Sequence, residues 1–403
     1  CIRDSVWSGC YDGLLDLHDL GTGHSRDVSV WPMAIESWPA EELEYRIQWT
    51  APLALSPHDP ERVYYGSQYV HASEDGGQSW QILSPDLTTD DPQLQRRWGG
   101  LTLDDAGPTL APTLFALAES PLEQGALWAG TNDGKLWLSR DGGEAWSDLT
   151  ANLVGLPSLG TVRNIEPSRH RAGRAYVAVD RHQLGDNEPY LYRTDDWGES
   201  WRRIDGDLPR GVYGYAHCIR EDPAREGLLY VGTESSVWVS FDDGERWHSL
   251  RSDLPPVPVH WLTVQERFAD LVIATYGRGF WILDDITPLR ELAERPLEEP
   301  GALLRPRPAW RFRPREAAVS HPDVPAAGRN PDSRATLHYG LPPSEETDNG
   351  EQRAGALQIR RADGEPERRL DDQPATGGLH RVTWDLRGER TPEVKLRTRP
   401  KVE

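Results

Sequence analysis

The chain has 403 residues, of which 27% are charged and 37% hydrophobic, and its formal net charge is −21. A field of that sign repels phosphate backbones and anionic headgroups, which excludes nucleic acid and anionic membrane surfaces as partners. No apolar run approaches the roughly 20 residues a spanning helix needs, so no membrane insertion is expected.

The first repeated element along the chain is an apolar strand ending in Gly or another small residue. It starts at Val6, Val63, Leu127, Ala175, Leu229 and Leu271. Most copies follow a turn rich in Pro or acidic residues, such as Ser56 to Pro60 and Glu221 to Pro223, with another apolar strand before it. Out of phase with these strands run four copies of one turn signature: Ser73-x-Asp75-x-Gly77-x-x-Trp80, Ser139-x-Asp141-x-Gly143-x-x-Trp146, Thr194-x-Asp196-x-Gly198-x-x-Trp201 and Ser240-x-Asp242-x-Gly244-x-x-Trp247. The Asp can accept backbone N–H bonds around the bend, the Gly permits positive φ, and the hydroxyl residue holds the start of the turn. After each Trp an aliphatic residue follows three positions on and a Leu four beyond it: Leu83 and Leu87, Leu149 and Leu153, Ile204 and Leu208, Leu250 and Leu254.

Four strands per unit, with the turn between the third and fourth and 46 to 66 residues between turns, describe β-propeller blades. An all-β sandwich would need less regular repetition. The first unit turns through Asp19 to Gly23 and has no innermost strand; the last runs from Phe280 to Leu283 into a short helix with Pro288 near its start. About six blades are therefore expected, the first one partial, from a ring that is seven-bladed when intact. The chain starts at Cys1 and its sole Met is Met33, so it reads as a piece of a longer protein, with the N-terminal sheet edge as its weak point. Cys1, Cys10 and Cys218 lack metal-ligand spacing and are expected to be buried thiols; no metal or other cofactor is expected.

The propeller is expected over residues 1–286. Residues 287–330 form a Pro/Arg-rich linker in which Ala309 to Arg313 alternates like an edge strand. Residues 331–403 read as a partial immunoglobulin-like β-sandwich, with strands at Ala335 to Tyr339, Gly355 to Ile359 and Gly378 to Leu386, a turn at Gly364, and a polar loop from Glu345 to Arg353.

The four turn signatures resemble the Asp-box, or BNR, repeat shared by bacterial sialidases, xyloglucan-degrading hydrolases and the luminal domain of the sortilin family. Together with Trp49 to Pro52, Leu55 to Pro60, Ser84 to Leu87, Trp128 to Gly130, Val239 to Gly244 and Ala274 to Asp285, they are similar to large bacterial exported proteins described as sortilin-like or glycosyl-hydrolase BNR-repeat proteins. The resemblance covers roughly residues 1–315 and extends more weakly beyond. It implies propellers followed by an immunoglobulin-like tail and an extracytoplasmic location. It implies no activity, because the box is a peripheral structural device found in enzymes and receptors alike.

Ligands of propellers usually occupy the face opposite such boxes, around the central channel. That face is built from the starts of the innermost strands and the loops between second and third strands. Arg46, Trp49, Arg163, His217, His260 and Trp261 at the starts, with Tyr276 and Arg278 in a loop, are the ligand-binding candidates. Aromatic faces suit pyranose rings and Arg forks suit carboxylates. Asp133, Asp180 and Glu234, on separate blades, are the catalytic candidates. A glycosidase needs two carboxylates about 5 to 5.5 Å apart for retention or about 6.5 to 9.5 Å for inversion. The segment Tyr45 to Gln48 resembles a sialidase Phe/Tyr-Arg-Ile-Pro motif but lacks the Pro and lies deep in the array. No nucleophile elbow, zincin helix or phosphate loop occurs. Two readings follow: an exported binding or scaffolding propeller that recognises a protein segment or glycan at the channel mouth, or a glycoside hydrolase, sialidase-like or xyloglucanase-like, that uses carboxylates on the face opposite the boxes. Carboxylates facing one open cleft would favour the second, and Arg–Asp pairing the first. Oligomeric state is not specified by these features.

Overall fold

Short strands punctuated by tight turns can bury their apolar faces only by stacking sheet upon sheet, and the structure does this throughout its first part. The computed structural model describes residues 5–31, 38–97, 111–295, 301–309, 334–341 and 354–389. The chain divides into two compact units, Cys1–Leu283 and Asp284–Glu403.

The first unit is a β-propeller array of six antiparallel sheets. Sheet 1 contains β1 (Ser5–Gly9), β2 (Leu15–Asp19) and β3 (Ser25–Asp27). Sheet 2 contains β4 (Leu53–Leu55), β5 (Val63–Gly66), β6 (Val70–Ser73) and β7 (Gln81–Ile82). Sheet 3 contains β8 (Leu114–Glu119), β9 (Leu127–Thr131), β10 (Leu136–Ser139) and β11 (Ser147–Asp148). Sheet 4 contains β12 (Thr161–Pro167), β13 (Ala175–Arg181), β14 (Asp186–Thr194) and β15 (Arg202–Arg203). Sheet 5 contains β16 (Ala216–Glu221), β17 (Leu229–Thr233), β18 (Val237–Ser240) and β19 (His248–Ser249). Sheet 6 contains β20 (Val259–Gln265), β21 (Asp270–Thr275) and β22 (Phe280–Leu283). Sheets 2 to 5 have four strands; sheet 1 lacks the innermost strand and sheet 6 the outermost one among the described residues. The innermost strands β4, β8, β12, β16 and β20 are successive neighbours and line one cavity of 680 Å³, the channel.

The core is a series of interfaces between blades. Leu15 and Val28 of the first blade pack with Ile47 and Tyr65, and Tyr64 and Val70 of the second with Leu114 and Leu127. Trp128 and Leu149 then meet Val177, Tyr192 and Trp201, while Tyr176 and Ile204 meet Ile219, Val231 and Trp247. Each fully buried large side chain contributes about 1.5–3 kcal/mol relative to exposure.

The four repeated turns share one hydrogen-bond pattern. In every copy the Gly N–H donates to the hydroxyl oxygen at 2.9 Å, from Gly77 to Ser73, Gly143 to Ser139, Gly198 to Thr194 and Gly244 to Ser240. The hydroxyl in turn donates to Asp75, Asp141, Asp196 or Asp242 at 2.7–2.9 Å. That Asp also accepts the backbone N–H four residues on, at 2.8–3.0 Å. Hydrogen bonds from Ser79 hold the Asp75 carboxyl down to about 2.

Each turn also docks onto the preceding blade. The indole N–H of Trp80 donates to the Val28 carbonyl at 3.0 Å, that of Trp146 to Leu83 at 3.0 Å, and that of Trp247 to Ile204 at 2.8 Å. A Cβ on Gly77, Gly143, Gly198 or Gly244 would fall 2.4 to 2.7 Å from an atom of Val28, Leu83, Leu149 or Ile204 respectively. The third copy departs from the pattern: Trp201 Nε1 is buried without a partner among the described residues, while Asn152 Nδ2 donates to the Gly198 carbonyl.

The second unit opens on a helix, Thr287–Glu294, with Pro288 in its first turn where its missing N–H costs nothing. One sheet joins β23 (Ala302–Leu303), β24 (Ala335–Leu341) and β27 (Gly378–Trp384); the other is a hairpin of β25 (Ala354–Arg360) and β26 (Pro366–Pro374), turning near Gly364 at φ +89°. Trp310 to Arg313 of the expected edge strand, and the loop from Glu345 to Arg353, lie outside the described residues, as does Cys1. Cys218 is a buried thiol, but Cys10 is exposed, contrary to expectation, because it sits at the turn after β1 and not on a core-facing strand.

Gly143 has φ +103° and Leu83 O 2.7 Å from a built Cβ, whereas Gly142 has φ +77° and open space. Gly142→Ala is expected to cost roughly 1 kcal/mol for its left-handed backbone. Gly143→Ala is expected to cost roughly 3 kcal/mol or more through strain and clash. Urea denaturation of both variants checks this, and equal midpoint shifts would show that docking on Leu83 contributes nothing.

Candidate functional site

Innermost strands expose one edge to the channel, and a strand that interrupts its ladder aims an extra side chain there. Four strands do this at the same place. β8, β12, β16 and β20 each shift register near their start, between Leu114 and Ala116, Val162 and Asn164, Ala216 and Cys218, and Val259 and Trp261. A bulge sets two residues against one and re-aims a side chain. The residues left out of the ladder are Phe115, Arg163, His217 and His260, and all four line the 680 Å³ cavity. Beside each, across the hairpin, stands the residue one beyond the partner of the position before the bulge: Asn132 beyond Thr131, Asp180 beyond Val179, Glu234 beyond Thr233 and Tyr276 beyond Thr275.

These positions form a continuous network over blades 4 to 6. Asp180 accepts from Arg163 Nη1 at 2.9 Å, from His182 Nδ1 at 2.7 Å and from the His182 backbone N–H at 2.9 Å. Glu234 is hydrogen-bonded to His217 Nε2 at 2.8 Å and to the Tyr215 hydroxyl. Rings then follow one another: His182 stacks on Tyr215 at 4.6 Å, Tyr215 meets His217 edge-on at 5.2 Å, His217 meets His260 at 4.3 Å, and His260 stacks on Tyr276 at 5.1 Å. Such pairs contribute about 0.5–1.5 kcal/mol each beyond area burial.

The electrostatics follow from these contacts. Burial opposes ionisation of Asp180 and Glu234, but hydrogen bonds from His182 to the first, and from His217 and Tyr215 to the second, hold both carboxyls below their ordinary values. The hydrogen bond to Asp180 raises His182. Burial lowers His217, and burial with the neighbouring His217 and Arg163 pushes His260 down to about 4. His217 Nδ1 is buried with no hydrogen-bond partner among the described residues, a state that costs about 1–3 kcal/mol when nothing satisfies the group.

The other candidates are placed as follows. Asp133 accepts from the Thr89 backbone N–H at 2.7 Å, the Thr89 hydroxyl at 2.6 Å and the Thr131 hydroxyl, and faces a second, smaller cavity of 160 Å³ that Asp180 also lines. Glu234 lines neither cavity. Arg46 is buried, with its guanidinium on Asp86 at 2.6 Å, Asp90 at 3.4 Å and Thr88 at 3.0 Å, away from both cavities. Trp49 is exposed and edge-on to Tyr11 at 5.2 Å. Trp261 lines the channel at 49% exposure, with the Arg220 guanidinium 4.1 Å from its ring centroid. Tyr276 is 72% exposed beside His260. Arg278 is exposed and makes no ion pair among the described residues.

Sequence reasoning did not single out Arg220, Glu166 or His182. Arg220 donates to Asn164 Oδ1 at 2.9 Å and Glu166 Oε2 at 3.2 Å across the β12–β16 boundary. Burial raises the Glu166 carboxyl despite Arg220. The signal of Glu166 and Arg220 is strand position, three residues beyond the bulged Arg163 and His217, legible only once the bulges are known; His182 begins the short turn of helix after β13. The arrangement offers aromatic faces and polar donors along a channel wall while Asp133, Asp180 and Glu234 are each held by neighbours.

No family model matches the chain. It is similar to a xyloglucanase of Acetivibrio thermocellus, 30% identical over 309 aligned residues that cover 65% of this chain and 34% of that protein. A probable oligoxyloglucan-reducing end-specific xyloglucanase of Neosartorya fischeri is 26% identical over 213 residues, 51% of this chain and 24% of that one. A vacuolar protein sorting/targeting protein 10 of Laccaria bicolor is 30% identical over 111 residues, 27% and 7% of the two chains. The chain thus spans about a third or less of the length of these curated relatives. Among solved structures, it is similar to a GH74 xyloglucanase from Xanthomonas campestris with 17% identity, a TM-score of 0.48 and coverage of 71% and 44%. The GH74 enzyme of Niastella koreensis gives 14%, 0.46, and 83% and 48%.

His182 is raised above its ordinary value, so its contribution to stability is complete below about pH 6.5 and is lost as pH rises through the raised value. Asp180 is lowered, so its side of the pair is intact above its ordinary value. His182→Gln should therefore lower unfolding stability more at pH 5.5 than at pH 8.5. Urea titrations at both pH values test this; a difference of the opposite sign would exclude the His182–Asp180 ion pair.

Proposed function

We propose that the chain is an extracytoplasmic propeller that binds a glycan at the channel mouth, its four turn signatures serving as structural Asp-box repeats. The observation that carries this reading is the pairing of exposed aromatic faces, Trp261 and Tyr276, with a channel wall of committed polar groups. An indole or phenol ring on a concave polar wall suits the apolar face of a pyranose, while Asn164 and Arg163 supply groups for its hydroxyls. Similarity to xyloglucanases supports a glycan over a protein segment. Asp180 is tied to Arg163 and His182, Glu234 to His217, and Asp133 to two threonines, the pairing expected of a binding surface.

Glycoside hydrolysis is the second reading, favoured by the same relatives and by Glu166, a channel-wall carboxyl raised by burial as a general acid would be. A further carboxylate would have to act with it.

Calorimetric titration with xyloglucan oligosaccharides, alongside an assay for newly formed reducing ends, separates the readings. Binding without cleavage is expected. Trp261→Ala and Tyr276→Ala should each weaken binding by about tenfold, or ~1.4 kcal/mol, while Phe268→Ala on the β20–β21 turn should not. Cleavage abolished by Glu166→Gln would establish the hydrolase, and saturable binding of peptides but no oligosaccharide would remove the glycan reading.

A further inference from the structure

Two imidazoles and a carboxylate converge where blades 5 and 6 meet the channel. His217, Glu234 and His260 each present one ligand atom, and these atoms all lie within 4.8 Å of one another. No local spacing announces the group. His217 and His260 are the bulged residues of β16 and β20, and Glu234 begins the loop after β17. We propose that His217, Glu234 and His260 form a binding site for a divalent transition-metal ion of the zinc class, with a fourth coordination position left for water or a ligand oxygen.

Donor chemistry sets the class of ion. Two imidazoles with one carboxylate suit zinc, cobalt, nickel or copper; calcium and magnesium prefer all-oxygen cages. The one nearby thiol is not a donor, since Cys218 Sγ faces the Val259 carbonyl at 3.9 Å. Zinc takes imidazole nitrogen and carboxylate oxygen at about 2.0–2.2 Å, which in a tetrahedron puts ligand atoms about 3.3 Å apart. The 2.8 Å His217–Glu234 contact must open slightly and the widest gap close by at most about 1.5 Å. Rotation of the half-buried Glu234 and His260 side chains can supply such shifts.

The surroundings hold the donors in place. Tyr215 hydrogen-bonds Glu234, the Tyr215 ring lies edge-on to His217, and Tyr276 stacks on His260. Partners of this kind orient ligands and tune a metal. The neighbouring cation Arg163 is already offset by Asp180 at 2.9 Å. A second observation is independent of the clustering: His217 is 2% exposed, its Nε2 engages Glu234, and its Nδ1 has no hydrogen-bond partner among the described residues. With Nε2 as the coordinating atom, the hydrogen bond to Glu234 is exchanged for a shared cation and the ring proton moves to Nδ1.

This inference goes beyond glycan binding and does not depend on it, because metal uptake is read without any sugar. The full chain, stripped with chelator and dialysed, is titrated with zinc against a chromophoric competitor at pH 7.5. One equivalent per chain should bind, and His260→Ala and Glu234→Gln should each weaken it by at least about tenfold, while His248→Ala on the outer strand β19 leaves it unchanged. Cobalt(II) in the same site should show visible bands of tetrahedral nitrogen and oxygen coordination with no thiolate charge transfer. Circular dichroism of each variant checks folding, so lost affinity in a folded His260→Ala chain counts as support. Absence of uptake at tens of micromolar zinc, unaltered affinity in both variants, or a thiolate signature would overturn the assignment.

Discussion

The array depends on one recurrent contact: a tight turn of each of blades 2 to 5 seated on the blade before it, in three of the four on a backbone carbonyl. The Gly of the turn comes so close to Leu83, Leu149 or Ile204 that any Cβ would collide, and three of the four Trp indoles donate to a carbonyl at the same place. Burial of large side chains supplies the bulk of the stabilisation but is non-directional. A hydrogen bond and a close approach fix register, so the docking decides where one blade stands relative to the next. Ser or Thr and Asp satisfy the turn internally, which frees the Trp to act outward.

Fixed blade spacing explains why the channel residues meet. His217 and His260 belong to different sheets, yet their rings are 4.3 Å apart because the innermost strands β16 and β20 are held as neighbours and bulge at the same level. Arg163, one blade earlier, occupies the corresponding position and finds Asp180 across its own hairpin. The same backbone device therefore presents an apolar ring, a guanidinium and two imidazoles on four consecutive blades. Change of side chain at one position per blade is enough to change the chemistry of the mouth without disturbing the ladders.

What repeats was legible in the sequence; what lies between repeats was not. Turn residues such as Gly143 and Trp146, and strands such as Leu127 to Thr131, recur with constant spacing, and local hydrogen-bond chemistry interprets them directly. The spacing of Leu83, Leu149 and Ile204 was visible too, but their role belongs to the following blade. Arg46 was placed at a strand start, whereas β4 begins only at Leu53 and the segment before it folds into a buried polar network with Asp86, Thr88 and Gln95. Asp133 illustrates register: Asn132, one residue earlier, occupies the place that Asp180 and Glu234 hold on their blades, so Asp133 is turned to hold Thr89 instead. β26 escaped notice because Glu367, Arg368, Arg369, Asp371 and Asp372 give it no apolar alternation; its pairing with β25 defines it.

Charge arrangement bears on which glycan the mouth would hold under the proposed binding role. The chain as a whole is strongly acidic, and an anionic polysaccharide would approach against that field. Arg278 makes no ion pair among the described residues, but Arg163, Arg181 and Arg220 on the cavity walls are already engaged, by Asp180, by Asp186 at 2.9 Å and by Glu166. Recruiting any of them to a sugar carboxylate would leave a buried or half-buried carboxylate unpaired, a loss comparable to the gain. Neutral sugars ask for less, because a hydroxyl can share a donor without taking the charge from its partner, and the rings of Trp261 and Tyr276 contribute contact area at small entropic cost. Under the glycan-binding role proposed above, the pairings of the channel wall favour an uncharged polymer over a sialylated one.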